Sequence, residues 1–488
     1  MAMETPTALS PDIWERTPPE AQAYIRALES RLSALEARVQ AFQAENRALQ
    51  EQGNQTSRNS SRPPSSDPPH SLRPRRPRSG RHRGGQPGHP GQTRPLLPVE
   101  EVDEVVVLKP EQCSGCHAPL LGDDPTPFRH QVIEIPPIQP VVTAYQWHQL
   151  VCPDCGESTR APWPQGVPSG TYGPRVHATV ALYTGSYRLS KRTTQQAMED
   201  LFDVSMSVGT MSQSEKTTTA VLAEPGEEAR DYVQEQSVAH LDETSWRQGG
   251  KRAWLWVAVT SWVTVFVVRM SRGGQVAREL LGEGFTGILV TDRYSAYNWY
   301  PVRWRQLCWA HLLRDCAAIR ERGGAGEEIG DALLAQAHQM FAWWHRVREG
   351  TWKRSTFRSS MTPLRHEVER LLEAGSQCEV AKTAGTCQEM LKRRQALWTF
   401  VQVEGVEPTN NTAERSIRPG VQWRKGSYGT QSEAGSRYVE SMMTVVATLK
   451  QQKRNVLAYL VAAHKAALRG ETAPSLLPED DQQSQAAA

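Results

Sequence analysis

The 488-residue sequence lacks a run of about 20 apolar residues, the length that a membrane-spanning helix needs. Its longest apolar stretch, AWLWVAVTSWVTVFVV from Ala253 to Val268, is interrupted by Thr260 and Ser261. Because this stretch is rich in Val, Thr and Trp, we predict a β-hairpin within a sheet. The N-terminus, MAMETPTALSPDIWE, also lacks the basic start and apolar centre of a signal peptide, so we expect a cytoplasmic protein with no membrane partner.

The net charge is small, +3, because the 56 basic residues nearly balance the 53 acidic ones. The distribution is uneven: from Arg58 to Arg94, nine arginines face the single acid Asp67, which gives 9 − 1 = +8 locally and 3 − 8 = −5 elsewhere. We predict that residues 53–98 form an unfolded linker that binds the phosphates of a polyanion. The alternative is a solvated linker that binds no phosphate. The candidate phosphate-binding residues here are Arg73, Arg75, Arg76, Arg78, Arg81 and Arg83.

Cysteine is also scarce, with eight in the chain, which argues against a secreted disulfide framework. Four of the eight form two CxxC pairs, Cys113/Cys116 and Cys152/Cys155. We predict that these four thiolates hold a structural Zn²⁺ in a domain over residues 99–168, as two knuckles joined by a β-hairpin. The gap between the pairs is wider than is usual for a zinc ribbon, and His117 is an alternative ligand.

A heptad pattern follows a first segment, residues 1–19, that we expect to be disordered. Over residues 20–52, apolar side chains recur at alternating steps of four and three, which predicts a coiled coil and hence a homodimer or a higher oligomer. A single helix packed on its own protein is the alternative. The seam consists of Ala21, Ile25, Leu28, Leu32, Leu35, Val39, Phe42, Asn46 and Leu49.

Residues 169–235 have a helical pattern. Two helices are predicted on either side of a turn at Val204–Ser207, the second beginning at Val208, and this spacing is typical of a DNA-binding helix-turn-helix. An ordinary helical hairpin is the alternative.

From residue 236 the pattern changes to a period of two. Strands are predicted at Val238–Arg247, Lys251–Thr260 and Val263–Ser271, and are followed by helix, strand, helix and strand. This order is that of a ribonuclease-H-like mixed sheet, so we predict a multidomain α/β protein. Its catalytic core would comprise residues 236–320 and 403–468, separated by a helical insertion at 321–402 and followed by a disordered tail at 469–488.

Three acids are placed on elements that such a sheet would bring together. Asp242 lies in HLDETSW on the first strand, Asp292 follows the fourth strand in LVTDRYSAY, and Glu414 begins a helix in TNNTAERSIRP. Three carboxylates in one cleft suit two Mg²⁺ or Mn²⁺ ions, which prefer oxygen ligands and serve phosphoryl transfer.

Each acid also has a purely structural interpretation. Asp292 could cap a helix that begins at Arg293, and Asn411 with Glu414 fits a capping box. Asp242 could be an ordinary acid at a strand end. Its neighbour Glu243 is expected to point to the opposite face of the sheet.

The motifs HLDETSW, GGKRAWLWVAVT, VTDRYSAYNW, QLCWAHLLRD, NNTAERSIRP and WRKGSYGTQSEAGSRYVE resemble those of insertion-sequence-66 family transposases, from about residue 20 to 465. The resemblance implies a DDE catalytic triad at Asp242, Asp292 and Glu414, and zinc at the four CxxC cysteines. It also implies a bacterial, nucleoid-associated enzyme whose partners are double-stranded DNA, as transposon ends and target, and accessory proteins of the same element.

The expected function is therefore DNA cleavage and strand transfer at terminal inverted repeats. Two alternatives are a non-catalytic, zinc-dependent DNA-binding regulator with a relic nuclease fold, and a nuclease that does not rejoin DNA. Trp309 and His311 in CWAH could pack beneath the site or contact a DNA base. Further candidate DNA-binding residues follow the glutamate: Arg415, Arg418, Arg424 and Lys425.

Overall fold

The computed structural model of the chain describes residues 11–60 and 94–478, so the arginines from Arg73 to Arg83 lie outside the described residues. The chain divides into two compact units. The larger unit contains Met1–Pro68, His148–Thr194 and Ser207–Ala488, and the smaller contains Pro69–Trp147 and Gln195–Met206. In the described ranges, every helix is too short or too polar to span a bilayer.

The described N-terminal segment is helical. A short helix α1 (Pro11–Glu15) lies within the part predicted to be disordered, and α2 (Pro19–Gly53) is one continuous helix of 35 residues. Six large side chains of the predicted seam are 46% to 58% exposed, whereas Ile25 is half-buried; the six are Leu28, Leu32, Leu35, Val39, Phe42 and Leu49. The helix therefore leaves an apolar stripe uncovered by the described part of its own chain.

The cysteine region contains less strand than predicted. Its two strands, β1 (Gln149–Val151) and β2 (Ser158–Arg160), are antiparallel and flank the second CxxC pair. The hairpin predicted between the two pairs is wrong, because residues 121–148 form no strand. Pro136, Pro137 and Pro140 lie in this segment, and a proline cannot donate a ladder hydrogen bond.

Four helices follow, namely α3 (Pro174–Ala181), α4 (Lys191–Phe202), α5 (Val208–Val221) and α6 (Ala223–Gln234). The two helices expected around a short turn are present as α4 and α5. Helix α5 begins where predicted because Ser207 caps it: the Ser207 hydroxyl accepts a hydrogen bond from the Thr210 amide at 3.1 Å.

A five-stranded mixed sheet forms the centre of the larger unit. Its elements in chain order are β3 (Val238–Gln248), β4 (Lys251–Val259), β5 (Thr264–Arg269), α7 (Gly274–Leu281), β6 (Ile288–Thr291) and β7 (Arg305–Leu307). The spatial order is β5-β4-β3-β6-β7, with β3, β4 and β5 antiparallel and β3, β6 and β7 parallel. The predicted α/β class and the predicted hairpin from β4 to β5 are confirmed.

A helical segment follows β7. It comprises α8 (Trp309–Glu321), α9 (Ala325–Arg348), α10 (Arg354–Ser376), α11 (Ala381–Lys392) and α12 (Thr399–Gln402). Its helices share an apolar core that includes Trp309 and Leu333 and extends to Ile288 and Leu307 of the sheet. The indole nitrogen of Trp309 donates to the carbonyl of Leu397 at 2.7 Å, so this side chain belongs to the core.

The last three helices are α13 (Asn411–Ser427), α14 (Glu433–Gln451) and α15 (Val456–Arg469). Ala413 and Ile417 of α13 pack on one face of the sheet with Leu255 and Val257. On the other face, Leu241 of β3 and Leu460 of α15 belong to one large core. Both faces of the sheet are thus covered.

Helix α14 also protects the edge strand β5. Thr448, Thr444 and Glu440 stand at four-residue intervals on one face of the helix and accept hydrogen bonds from alternate β5 amides. The bonds are Thr264 N–H to Thr448 Oγ1 at 3.0 Å, Phe266 N–H to Thr444 Oγ1 at 3.0 Å, and Val268 N–H to Glu440 Oε1 at 2.6 Å. They use donors that would otherwise be open to another strand.

The start of the tail predicted to be disordered is in fact packed. Leu476 is 0% exposed, and its carbonyl accepts from the side chain of Gln452 at 2.8 Å. Tyr459 donates its hydroxyl to the carbonyl of Pro474 at 2.7 Å. The prediction is wrong up to residue 478 because one leucine fills the core here; residues 479–488 lie outside the described part.

Candidate active site

Asp242 within β3 and Asp292, the residue immediately after β6, occupy equivalent positions in the register of these parallel strands. In the register of β3 and β6, His240 is opposite Val290, so each aspartate comes two residues after a paired position. Residues at matching register on adjacent parallel strands lie side by side, and here β6 ends at Thr291 whereas β3 continues to Gln248. The strand register therefore explains why the two aspartates, as predicted, lie on neighbouring strands.

Glu414 reaches this edge because Asn410 fastens the start of α13 to β3. The Asn410 side-chain amide donates to the carbonyl of Leu241 at 2.7 Å, and its oxygen lies 3.1 Å from Nδ1 of His240. Burial lowers the pKa of His240 to about 4, and its hydrogen bond to Asn410 opposes the shift. His240 is thus neutral near pH 7, and its Nδ1–H donates to the Asn410 oxygen.

The capping-box interpretation of Asn411 and Glu414 is wrong. The N-cap of α13 is Asn410, and its side chain makes no capping hydrogen bond because it is committed to β3. The backbone of Asn410 does serve the helix, since its carbonyl accepts from the Glu414 amide at 3.1 Å. No sequence pattern distinguishes Asn410 from Asn411, and only the fold separates the buried asparagine from the exposed one.

Asp242 is a buried carboxyl with three other acidic side chains nearby. Burial raises the pKa of Asp242 well above its usual value, and the charges of Glu243, Asp292 and Glu414 raise it further. The amide of Glu243 partly opposes this by donating to Asp242 Oδ1 at 2.9 Å. Like charges held this close favour protonation or a bound cation.

Asp292 does not cap a helix at Arg293. Its Oδ1 accepts from the amide of Tyr294 at 2.8 Å in a local turn, and the helical turn that follows begins only at Ser295. This hydrogen bond thus fixes the orientation of the Asp292 carboxylate directly after the end of β6.

Glu243 lies on the other face of β3, as expected, but it is part of the same charged region. It accepts from Arg272 at 2.8 Å and from the hydroxyl of Tyr297. Burial raises its pKa to about 7, and the charge of Asp292 adds to the shift. The Arg272 guanidinium also lies 3.8 Å from the centre of the Tyr294 ring. Sequence reasoning gives the orientation of Glu243 but misses its electrostatic link to Asp292.

Glu414 has two neighbours that sequence reasoning leaves without a role. Its Oε1 lies 3.5 Å from Nδ1 of His311 and 4.0 Å from Sγ of Cys308. Among the described residues, these three form a group whose donor atoms all lie within 4.8 Å of one another, whereas the triad of Asp242, Asp292 and Glu414 does not. The glutamate oxygen is therefore directed toward Cys308 and His311.

The basic residues of α13 differ in their surroundings. Arg415, Arg418 and Lys425 are exposed, whereas Arg424 is half-buried and donates to the side chain of Thr244 at 3.1 Å and to Ser245. Arg424 thus holds α13 against β3, and its burial lowers its pKa.

The two CxxC pairs have the same local conformation. In each, the amide of the first cysteine donates to the carbonyl five residues later, Ala118 for Cys113 and Glu157 for Cys152. The fourth residue after the first cysteine, His117 or Gly156, has a positive φ. Backbone amides from the same turn lower the pKa of Cys113 and of Cys152. Each turn is thus suited to present thiolates to a metal, and the role of His117 as a ligand stays an expectation.

The prediction that all four thiolates share one zinc ion is not confirmed by the structure. Cys113 and Cys116 belong to the smaller unit, and Cys152 and Cys155 belong to the larger one. Cys116 and Cys155 are exposed, whereas Cys113 and Cys152 are half-buried. Because assembly of such a site is coupled to binding of the metal, the shared site stays a prediction.

Comparison with known proteins places these features in one family. Residues 169–438 match the transposase IS66 family, residues 110–156 match the zinc-finger binding domain of transposase IS66, and residues 5–95 match a family of unknown function, DUF6444. A relative from Sinorhizobium fredii, uncharacterized protein y4qI, is 30% identical over 239 residues, which is 43% of this chain and 42% of the relative. The chain thus aligns with about two fifths of that relative's length. Since the family match spans more than half of the 488 residues and includes the sheet, Asp242, Asp292 and Glu414, the chain belongs to the IS66 family of transposases.

Proposed function

We propose that the chain is a DDE-type transposase that cleaves DNA at the terminal inverted repeats of an insertion sequence and joins the freed ends to target DNA. The observation that carries the proposal is the equivalent placement of Asp242 on β3 and of Asp292 immediately after β6, with Asn410 linking the helix of Glu414 to β3. The strand order β5-β4-β3-β6-β7, with one antiparallel half and one parallel half, supports a ribonuclease-H-like core.

The donor set fits hard divalent cations. Asp242, Asp292 and Glu414 would hold Mg²⁺ or Mn²⁺ through carboxylate oxygens. Burial first, and then the charges of the neighbouring acids, raise the pKa of Asp242, and a bound cation would offset both. When bound, two such ions activate an attacking hydroxyl and stabilise the leaving oxygen of phosphoryl transfer. Gathering the three carboxylates requires the Glu414 side chain to turn from His311 toward the aspartates.

The residues around the acids position them. Asn410 fixes the backbone that precedes Asp242, and the turn at Tyr294 fixes Asp292. The exposed Arg415, Arg418 and Lys425 continue along α13 from Glu414 and would bind the phosphates of the DNA end.

Strand cleavage and joining with purified protein tests this function. We expect Asp292→Asn to abolish both reactions on a labelled inverted-repeat duplex, and Asp231→Asn, an exposed acid on α6, to retain them. Full strand transfer by Asp292→Asn would contradict the proposal. Cleavage without joining by the wild-type protein would favour the nuclease interpretation, and binding without either reaction would favour the regulator.

We also propose that α2 pairs with the same helix of a second chain. The uncovered side chains of its seam support this, because a stripe at heptad spacing is stabilised by a partner helix. Leu35→Glu with Phe42→Glu should convert the oligomer to a monomer in light scattering after gel filtration. Ala37→Glu lies at the outermost heptad position and should leave the oligomer intact; a wild-type monomer would refute the pairing.

A further inference from the structure

A second group of metal-binding side chains adjoins the three acids. Cys308 is the N-cap of α8, His311 lies in the first turn of that helix, and Glu414 comes from the first turn of α13. Their donor atoms lie within 4.8 Å of one another. Sulfur, nitrogen and oxygen ligands together are not the set that Mg²⁺ selects; they are typical of zinc and other borderline transition metals.

We propose that Cys308, His311 and Glu414 form a site for one Zn²⁺ ion, separate from the cysteine knuckles. Ligand bonds of about 2.0 Å for oxygen and nitrogen and about 2.3 Å for sulfur, at tetrahedral angles, place nitrogen about 3.3 Å and sulfur about 3.5 Å from oxygen. The distances to Glu414 Oε1 are 3.5 Å from His311 Nδ1 and 4.0 Å from Cys308 Sγ. These two separations thus need to shorten by about half an ångström or less, and the third, from the Cys308 sulfur to the imidazole, is within 4.8 Å.

The surroundings of the ligands support a metal rather than a closed hydrogen-bond network. Nδ1 of His311 is buried and makes no hydrogen bond within the described part of the chain, although a buried imidazole nitrogen normally has a partner. The Cys308 sulfur accepts a hydrogen bond from the amide of Asn410 at 3.1 Å. Burial raises the pKa of this thiol to about 12 and the Asn410 amide opposes the shift, so the sulfur becomes a thiolate ligand only when a metal replaces its proton. Three protein ligands leave one position of a tetrahedral zinc open.

The backbone fixes all three ligands to the sheet edge. The Cys308 amide donates to the carbonyl of Thr291, the residue before Asp292, at 2.8 Å, and Asn410 links Cys308 to the start of α13. Since Glu414 belongs to both groups, zinc would hold its oxygen toward Cys308 and away from the aspartates. This consequence rests on the proposed function: zinc at this site would oppose magnesium-dependent cleavage.

Zinc counting tests the site without any DNA reaction. The full-length protein is stripped with a chelator, reloaded with Zn²⁺, freed of unbound metal and measured by atomic absorption. The decisive quantity is the difference in zinc per chain between the wild type and His311→Ala. We expect the variant to hold about one ion less, and Cys308→Ser to do the same. The control Cys316→Ser alters another buried cysteine of α8 and should match the wild type.

Equal zinc content in the wild type and both variants would overturn the proposal. Circular dichroism shows whether each variant is folded, and His311→Gln replaces His311→Ala if the latter is not.

Co²⁺ provides a second readout, because a thiolate ligand adds a near-ultraviolet charge-transfer band. Loss of part of this band in Cys308→Ser, with the knuckle cysteines intact, supports the site, and an unchanged band contradicts it. Since neither measurement uses DNA, failure of the zinc site is distinguishable from failure of the transposase proposal.

Discussion

The side-chain amide of Asn410 donates a 2.7 Å hydrogen bond to the carbonyl of Leu241, the residue that immediately precedes Asp242. The same asparagine begins the helix of Glu414 and donates its own amide to the sulfur of Cys308, which follows β7. One buried side chain thus connects the elements that carry two of the three proposed catalytic acids.

We expect Asn410→Ala to lower the cleavage rate by about 10²-fold, because a displacement near 1 Å at a reacting group has an effect of that size. The free energy of unfolding should fall by about 1–3 kcal/mol, since the carbonyl of Leu241 and the nitrogen of His240 lose a buried partner. The matched control is Asn411→Ala, which alters the exposed neighbour and should change neither quantity. Equal rates for the two variants would show that Asn410 has no positioning role.

Local signals predict the sheet well. The sequence pattern places strand β3 at Val238–Arg247 and the strand spans Val238–Gln248, so the two agree to within one residue. The order of strands and the positions of Asp242 and Asp292 follow from the same pattern and from the family motifs. These features depend on residues that are near one another in sequence.

The rest depends on contacts between distant parts of the chain. Asn410 and Leu241 are 169 positions apart, and no local pattern connects them. The lack of a hydrogen-bond partner at Nδ1 of His311 and the burial of Leu476 likewise depend on residues distant in sequence. The two cysteine knuckles predict a hairpin between them, but the prolines in that segment remove the donors that a ladder needs.

Removing the charge of Asp242 should raise the stability of the protein although it removes activity. Asp242 has a pKa above its unfolded value, because of burial first and then of the neighbouring acids. Its ionisation therefore costs stability, and that cost appears as the pH rises above the unfolded value and through the folded one.

Asp242→Asn should thus raise the melting temperature at pH 8 in a magnesium-free buffer, while it abolishes cleavage. Each kcal/mol gained corresponds to roughly 2–4 °C for a domain of this kind. The gain should shrink at pH 5, where the carboxyl of the wild type is more protonated, and on addition of Mg²⁺. Differential scanning calorimetry measures both trends, and a lower melting temperature for the variant at pH 8 would contradict this electrostatic account.

The face of α14 that covers β5 predicts a second stability effect. Thr444→Val keeps the shape of the side chain but removes the acceptor of the Phe266 amide, which is buried. We expect the free energy of unfolding to fall by about 1–3 kcal/mol, the usual consequence of an unsatisfied buried donor. Thr448→Val should have a similar effect, because Thr448 both accepts from and donates to Thr264.

The control for this pair is Ser441→Ala on the same helix; among the residues that the structure describes, its hydroxyl bonds only to the carbonyl of Arg437 within α14. Its effect should stay within about 0.5 kcal/mol. Urea unfolding followed by fluorescence gives all three values. If the two valine variants matched the alanine variant, the edge of β5 would not depend on α14.

The arginine-rich linker predicts a salt-dependent contribution to DNA binding. Replacing Arg73, Arg75, Arg76, Arg78, Arg81 and Arg83 with Gln removes six positive charges. If these side chains bind phosphates, each releases a counterion on binding, and the slope of log affinity against log salt should become shallower by about 0.9 for every phosphate that is no longer neutralised. Fluorescence anisotropy on inverted-repeat and unrelated duplexes measures the slope. Affinity for both duplexes should fall by a similar factor, because phosphate contacts carry no base information. A fall confined to the inverted repeat would mean that the linker recognises sequence, and an unchanged slope would leave only a solvated connection between the helix α2 and the cysteine region.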